Sequence, residues 1–420
     1  MLQYRICGQS RIAGDLCIGG AKNAVLPILA AVCLNESESE IYNCPSIADT
    51  HVSLDILKAI GCKLDYHDTK LRVRPPAELA HNIPQESVCK MRSSILFMGA
   101  LLGRVGKVVI SMPGGCELGN RAIDLHLSGL RAMGATIHQI EGSLYCEAPR
   151  LHGAKIHMHT ASVGATQNLM LAATLATGDT AIKNAAREPE VIDLAVFLNS
   201  MGAKIEGAGT GTIYITGVKK LHEAAPHVIM PDRIVAGTYM VAAAMTNGSV
   251  ALHNIRPADM QPIVTPLSAM GCNIYTQGSS MVLVAPKKLN ALPHLVTQVH
   301  PGFPTDMQAQ LVAALAIADG TSIVTENIFD KRTAHIPELN KMGANIAVKD
   351  TSFTVQGCNT LAGTTVAAHD LRCGAALVLA GLAAHGETVV QNAQYVQRGY
   401  TAIERDLTSL GADIVLEDVQ

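Results

Sequence analysis

One five-residue ending recurs six times along this chain, and few folds accommodate that. It reads Ile60-Gly61-Cys62-Lys63-Leu64, Met133-Gly134-Ala135-Thr136-Ile137 and Met201-Gly202-Ala203-Lys204-Ile205. It returns as Met270-Gly271-Cys272-Asn273-Ile274, Met342-Gly343-Ala344-Asn345-Ile346 and Leu410-Gly411-Ala412-Asp413-Ile414. The spacing of roughly 70 residues is that of a small α/β subdomain rather than a solenoid repeat. A helical pattern precedes each ending, and the glycine supplies a left-handed helix cap. A strand follows, as in Gly211-Thr212-Ile213-Tyr214-Ile215.

Upstream in each unit lies a helix rich in Ala, Leu and Met, within residues 24–33, 91–102, 164–176, 235–245, 307–318 and 374–384. These helices are apolar nearly all round, so they are expected to be buried. A short turn and a β-rich run follow each of them. The alternation predicts an α/β fold of six βαβαββ-like units with parallel connections covered by helices. Six units divide into two domains of three, with the break near Val228-Ile229-Met230-Pro231. Residues 2–7 and 15–18 are strand-like and have no partner near the first buried helix, so both are expected to pair with the sixth unit. The chain then crosses between domains twice. The first domain comprises residues 1–20 with 231–420, and the second residues 21–230.

Composition removes several classes of function. The net charge is −3 with no basic or acidic block, which argues against bulk attraction to nucleic acid or an anionic membrane. Aromatics are 3% of residues and Trp is absent, so platforms for stacking bases are not expected. No apolar run is long enough to cross a bilayer, and the first residues lack the apolar stretch of a signal peptide. A cytoplasmic protein is expected. The 11 cysteines include no Cys-x-x-Cys pair, which disfavours a zinc ribbon or a redox motif. Cys33, Cys62 and Cys272 sit in apolar surroundings and read as small core residues. His157 and His159 share a strand face but have no evident third ligand, so no metal site is expected. Gly207-Ala208-Gly209-Thr210-Gly211 resembles a dinucleotide fingerprint but lacks the helix that must follow.

Charged residues are only 16% of the chain, so where they fall is informative. Lys22-Asn23, Arg92, Ser162-Val163-Gly164, Asp232-Arg233, Thr305-Asp306 and Asp370-Leu371-Arg372 stand at the starts of the six buried helices. Free N–H groups and the dipole make such starts anion sites. A cation there opposes the dipole, so Lys22, Arg92 and Arg372 read as functional. Asp306 and Asp370 suit both a cap and a catalytic role. A further candidate is the loop Pro113-Gly114-Gly115-Cys116-Glu117-Leu118-Gly119-Asn120-Arg121, between a strand and an amphipathic helix. Glycines let such a loop move, and Arg121 favours the Cys116 thiolate. These features fit a polyanion-handling transferase or a ligand sensor.

The stretches Gly20-Ala21-Lys22-Asn23-Ala24, Met91-Arg92, Pro113-Gly114-Gly115-Cys116, Asp124-Leu125-His126 and Ser162-Val163-Gly164-Ala165-Thr166 occur together. So do Ala185-Ala186-Arg187-Glu188-Pro189-Glu190, Pro231-Asp232-Arg233, Phe303-Pro304-Thr305-Asp306-Met307-Gln308-Ala309-Gln310, Asp370-Leu371-Arg372 and Arg398-Gly399-Tyr400. In this combination the chain resembles the enolpyruvyl transferases over almost its whole length. The resemblance implies two inside-out α/β domains with the active site in the cleft between them. It also implies transfer of enolpyruvyl from phosphoenolpyruvate to the 3′-hydroxyl of UDP-N-acetylglucosamine, a step of peptidoglycan synthesis, with no cofactor and no metal. By resemblance Cys116 is the general acid and Asp306 faces the sugar hydroxyl as base. Lys22, Asn23, Arg121 and Arg398 bind phosphoenolpyruvate, with Lys22 and Arg398 also in catalysis. Arg92, Arg121, Ala122, Ile123, Asp124, Leu125, Ser162, Val163, Gly164, Asp306 and Ile328 contact the UDP-sugar. Arg332, Asp370 and Arg372 support the reacting centre.

The chain departs from the family pattern at Ala122, where proline is usual, and at His159-Thr160-Ala161, where a lysine is frequent. It departs again at Gln397 and Thr333. These changes lie mostly on the nucleotide side. A different nucleotide acceptor and a non-catalytic UDP-sugar sensor therefore stand as alternatives. The sequence sets no oligomeric state.

Overall fold

The computed structural model describes residues 2–112 and 123–419. These divide into two compact units, residues 2–19 with 231–419 and residues 20–112 with 123–230. Each has its own apolar core. Six helices run through those cores: α1 (Lys22–Ala31), α2 (Leu96–Val105), α3 (Val163–Thr174), α4 (Arg233–Met245), α5 (Gln308–Leu315) and α6 (Leu371–Ala383). Every residue of α1 from Ala24 to Ala31 is buried, as is every residue of α5. Small and branched apolar side chains on all faces leave these helices no solvent side.

The third repeat shows the unit complete. Strand Lys155–His157 leads through α3 to strand Asp179–Lys183, which lies parallel to it with Ile156 opposite Ile182. A parallel pair needs a crossover, and α3 supplies it. Helix Pro189–Ser200 then leads to strands Lys204–Glu206 and Thr212–Thr216, which add to the sheet in antiparallel fashion. The Gly207–Gly211 segment is the hairpin turn joining that last pair, which is why no helix follows it. Five sheets have this four-stranded order, and the second repeat shows three strands plus a parallel bridge from Asn82 to Val109 among the described residues.

The N-terminal strands correct one expectation. Leu2–Cys7 does join the sixth repeat, antiparallel between Glu387–Gln391 and Asp413–Asp418. Ala13–Cys17 instead pairs in parallel with Ser249–His253 of the fourth repeat. The cause is what each repeat lacks. The sixth ends on Asp413–Asp418 and needs a second hairpin strand. The fourth begins directly with α4 and needs an edge strand before it. By the same logic His227–Val228 returns to lie parallel to Ser39–Tyr42 and completes the first repeat.

Close packing at the strand ends explains a recurring glycine. A Cβ on Gly357, just after strand Ser352–Gln356, would lie 1.7 Å from the Ala318 carbonyl oxygen, and one on Gly217, in the matching place of the third repeat, 1.8 Å from that of Ala176. Both contacts are to backbone, which cannot swing aside. Gly357→Ala is expected to cost about 2 kcal/mol or more, read as a lower midpoint in urea unfolding. Cys33, Cys62 and Cys272 are buried, as their surroundings implied.

Candidate active site

Two charge clusters form at the helix starts, one in each unit. In residues 231–419 the centre is Asp306. It sits in the one-turn helix Thr305–Met307 that leads into α5. It does not cap that helix. Its Oδ1 accepts from Arg332 Nη1 at 3.0 Å and its Oδ2 from Arg372 Nη2 at 2.9 Å. Burial would raise the Asp306 carboxyl, but the two guanidinium charges and their hydrogen bonds outweigh it and hold it well below the usual carboxylate range. Arg332 and Arg372 are each 4% exposed, so the pair is desolvated on both sides of the acid.

Asp370 takes the role Asp306 does not. Its Oδ1 accepts from the backbone N–H groups of Arg372 and Cys373 at 2.8 and 3.0 Å, capping α6. This cap places Arg372 in the first turn of α6, where it reaches Asp306. The opposition of Arg372 to the dipole is thus met by the half-buried carboxylate of Asp306 from a different repeat. Asp232 caps α4 in the same manner through Ile234 and Val235. Arg398 ends the short helix Ala393–Arg398 and is half-buried. That helix lies on the start of α6: a Cβ on Gly399 would meet Leu371 Cδ2 at 2.7 Å, and one on Gly374 would meet Val396 Cγ2 at 2.6 Å. Tyr400 follows, buried, with its hydroxyl 2.7 Å from Thr238 Oγ1. Burial raises the Tyr400 hydroxyl pKa, with Arg372 opposing. Ile328 is half-buried, its N–H donating to Glu326 at 2.8 Å.

In residues 20–230 Lys22 is the first residue of α1, and its Nζ lies 2.7 Å from Asp49 Oδ2. Asp49 is 2% exposed, in the first turn of helix Ala48–Ala59. Asn23 is next to Lys22 and half-buried. Arg92 opens a short helical turn before α2, and burial lowers the pKa of its guanidinium. Ser162 caps α3 by accepting from Ala165 N–H, with Val163 and Gly164 half-buried behind it. Asp124 begins helix Asp124–Ala132, with Ile123 in its cap position and Leu125 half-buried.

His126 gathers this second group. A Cβ on Gly164 would lie 3.4 Å from its Cε1. Its Nδ1 is 3.0 Å from Asn168 Nδ2, and Asn168 Oδ1 accepts from Gly99 N–H. With the amide donating, Nδ1 is an acceptor and the ring is neutral. Burial first, then the Arg92 charge, pushes His126 down to about 4, against the pull of Asp124. Cys116, Arg121 and Ala122 lie outside the described residues.

Three residues of these clusters were not singled out from sequence: Asp49, His126 and Glu326. Asp49 and Glu326 are ordinary acids in the string, and only long-range contacts give them partners. His126 stood within a recognisable motif but had no stated role.

The buried histidines set a pH dependence. His335, 1% exposed and edge-on to Phe353, is also pushed down to about 4, by burial and then Arg332, with Asp370 opposing. Both rings are neutral when folded, so the unfolded chain takes up protons first as pH falls. Their stabilisation is complete above about pH 6.5 and is lost as pH falls toward 4, by roughly 3 kcal/mol for each ring. Urea unfolding across that window should show the decline, and His126→Gln or His335→Gln should flatten it.

The family described as EPSP synthase (3-phosphoshikimate 1-carboxyvinyltransferase) matches residues 6–407. UDP-N-acetylglucosamine 1-carboxyvinyltransferase 2 of Caldanaerobacter subterraneus subsp. tengcongensis is 48% identical over 415 residues, 99% of each chain. UDP-N-acetylglucosamine 1-carboxyvinyltransferase 1 of Symbiobacterium thermophilum is 45% identical over 98% of this chain and 94% of its own. Among solved structures, the enolpyruvyl transferase NikO from Streptomyces tendae superposes with a TM-score of 0.90 at 27% identity, over 100% of this chain and 99% of its own. The chain belongs to the UDP-N-acetylglucosamine 1-carboxyvinyltransferase family, and it is a transferase. No helix among the described residues is long and apolar enough to cross a membrane.

Proposed function

We infer that this protein transfers enolpyruvyl from phosphoenolpyruvate to the 3′-hydroxyl of UDP-N-acetylglucosamine and releases phosphate. The observation that carries it is a half-buried carboxylate, Asp306, held by the buried Arg332 and Arg372 in a chain 48% identical over its length to a relative of that name. In the addition step C3 of phosphoenolpyruvate gains a proton and the sugar oxygen bonds to C2. In the elimination step C3 loses a proton and phosphate leaves. Cys116 is assigned the proton to C3, and Asp306 the sugar hydroxyl. Lys22, Asn23, Arg121 and Arg398 are assigned the phosphate and carboxylate of the donor, where cations stabilise charge that shifts during addition. Arg92, Ala122, Ile123, Asp124, Leu125, Ser162, Val163, Gly164 and Ile328 are assigned to the acceptor. The reading carries with it a cytoplasmic location and small molecules as the only partners the reaction needs.

The electrostatics refine one role. A carboxylate stabilised by two guanidinium groups is a weak base. Asp306 is therefore assigned first to orienting the hydroxyl and only then to accepting its proton. The test is phosphate release with both substrates present. Release should need both, and UDP-N-acetylglucosamine should outpace other UDP-sugars and free nucleotides. Binding of UDP-N-acetylglucosamine without any release would overturn the proposal in favour of a sensor.

A further inference from the structure

Glu326 closes strand Thr321–Thr325 and is 1% exposed. A buried carboxylate is costly unless its lone pairs are matched. Here four donors match them. Oε1 accepts from Thr297 Oγ1 at 2.7 Å, Ile328 N–H at 2.8 Å and Phe329 N–H at 3.0 Å. Oε2 accepts from Thr305 Oγ1 at 2.9 Å. One side chain therefore ties the Ile328 loop to the turn that carries Asp306.

The Thr305 link does more than hold a loop. A hydroxyl has one proton and two lone pairs. With its proton given to Glu326, Thr305 turns only lone pairs toward Arg332, whose Nη1 donates to it at 2.9 Å. The same Nη1 donates to Asp306 Oδ1 at 3.0 Å. Arg332 is steadied from below by Phe329, whose ring centroid is 4.9 Å from its guanidinium carbon. Phe329 in turn is fixed by its N–H on Glu326. Among the described residues, the two side-chain contacts of Arg332 besides Asp306 thus lead back to one carboxylate.

We propose that Glu326 is a positioning residue: through Thr305 and the Ile328–Phe329 backbone it sets where Arg332 presents Asp306 to the acceptor. This rests on the transferase reading for its consequence in turnover, but not for its geometry. In Glu326→Gln the amide oxygen serves the three donors on the Oε1 side. That turns the amide N–H₂ toward Thr305, whose proton then has no acceptor there. Turnover should fall about tenfold with the KM for phosphoenolpyruvate within about twofold, the size expected of a misplaced catalytic group. Thr305→Val should give a similar loss, and the double variant no more than the larger single one, because both break one route. Glu326→Ala should add a raised KM for UDP-N-acetylglucosamine, since the Ile328 and Phe329 N–H groups lose their acceptor. A purely structural role would instead lower the unfolding midpoint and leave the turnover of the folded enzyme at the wild-type level. Glu326→Gln at wild-type turnover, or multiplying losses, would overturn the proposal. If the wild-type chain has no turnover, the transferase reading fails by itself, and a crystal structure of Glu326→Gln decides this one. Arg332 Nη1 leaving Thr305 supports it; Arg332 in place overturns it.

Discussion

Asp306→Asn is expected to fold and to turn over at least about a hundredfold more slowly, as when a charge-stabilising group is lost from an active site. Asparagine keeps the shape and one acceptor for the guanidinium N–H groups. It removes the charge that Arg332 and Arg372 share at 3.0 and 2.9 Å. Asp306→Ala removes the acceptors as well and leaves two buried guanidinium groups without a counter-charge. Breaking a buried pair in this way costs about 3–5 kcal/mol. Both variants remove the counter-charge, and only Asn keeps an acceptor. Thermal unfolding should show a loss for both, larger for Ala, while both fail in phosphate release. The Ala variant should also regain stability when phosphate is added, since an anion can replace the missing charge. Activity in Asp306→Asn near that of the wild type would remove Asp306 from the chemistry.

The second large effect concerns Cys116. Cys116→Ser should lose most turnover and keep UDP-N-acetylglucosamine affinity within about threefold, because a serine hydroxyl is a far weaker acid than a thiol. Calorimetry of nucleotide binding beside a turnover assay gives both numbers. A second check uses the epoxide antibiotic fosfomycin. Incubation with UDP-N-acetylglucosamine should yield one covalent adduct on Cys116 by mass spectrometry, absent from the Ser variant. Full activity in Cys116→Ser would withdraw the acid role, and an unmodified Cys116 would withdraw the reactive thiol.

Much of this fold is written locally. The Met-Gly endings and the apolar helices between them announce βαβαββ units because caps and burial are decided within ten or fifteen residues. Register between distant strands is not decided there. Nothing in Ala-Gly-Asp-Leu-Cys at Ala13–Cys17 says that it pairs with Ser249–His253; only the vacancy beside α4 does. The site divides the same way. Lys22 and Arg372 were visible because a cation at a helix start is unfavourable without a partner. The pairings were not: Asp49 reaches Lys22 from a later helix of the same repeat, and Asp306 reaches Arg372 from the preceding repeat. Asp306 and Asp370 look alike in the string, each before a buried helix. What separates them is a backbone detail. Asp370 precedes α6 directly and caps it, whereas Asp306 sits inside a turn that orients its carboxylate toward Arg332 and Arg372.

The pairing of Leu2–Cys7 with Asp413–Asp418 has a consequence for how the chain is born. Leu2 lies opposite Asp418 in the sheet, so the first and last strands are neighbours. A ribosome releases residues 20–230 with every strand of that unit already made, His227–Val228 included. The opening strands, by contrast, wait through nearly the whole of synthesis for their companions. One unit can mature on the emerging chain while the other waits for Asp413–Asp418. That unit is thus held together by its longest-range pairing, and a break anywhere along Leu2–Cys7 would strip two strands of their partner at once.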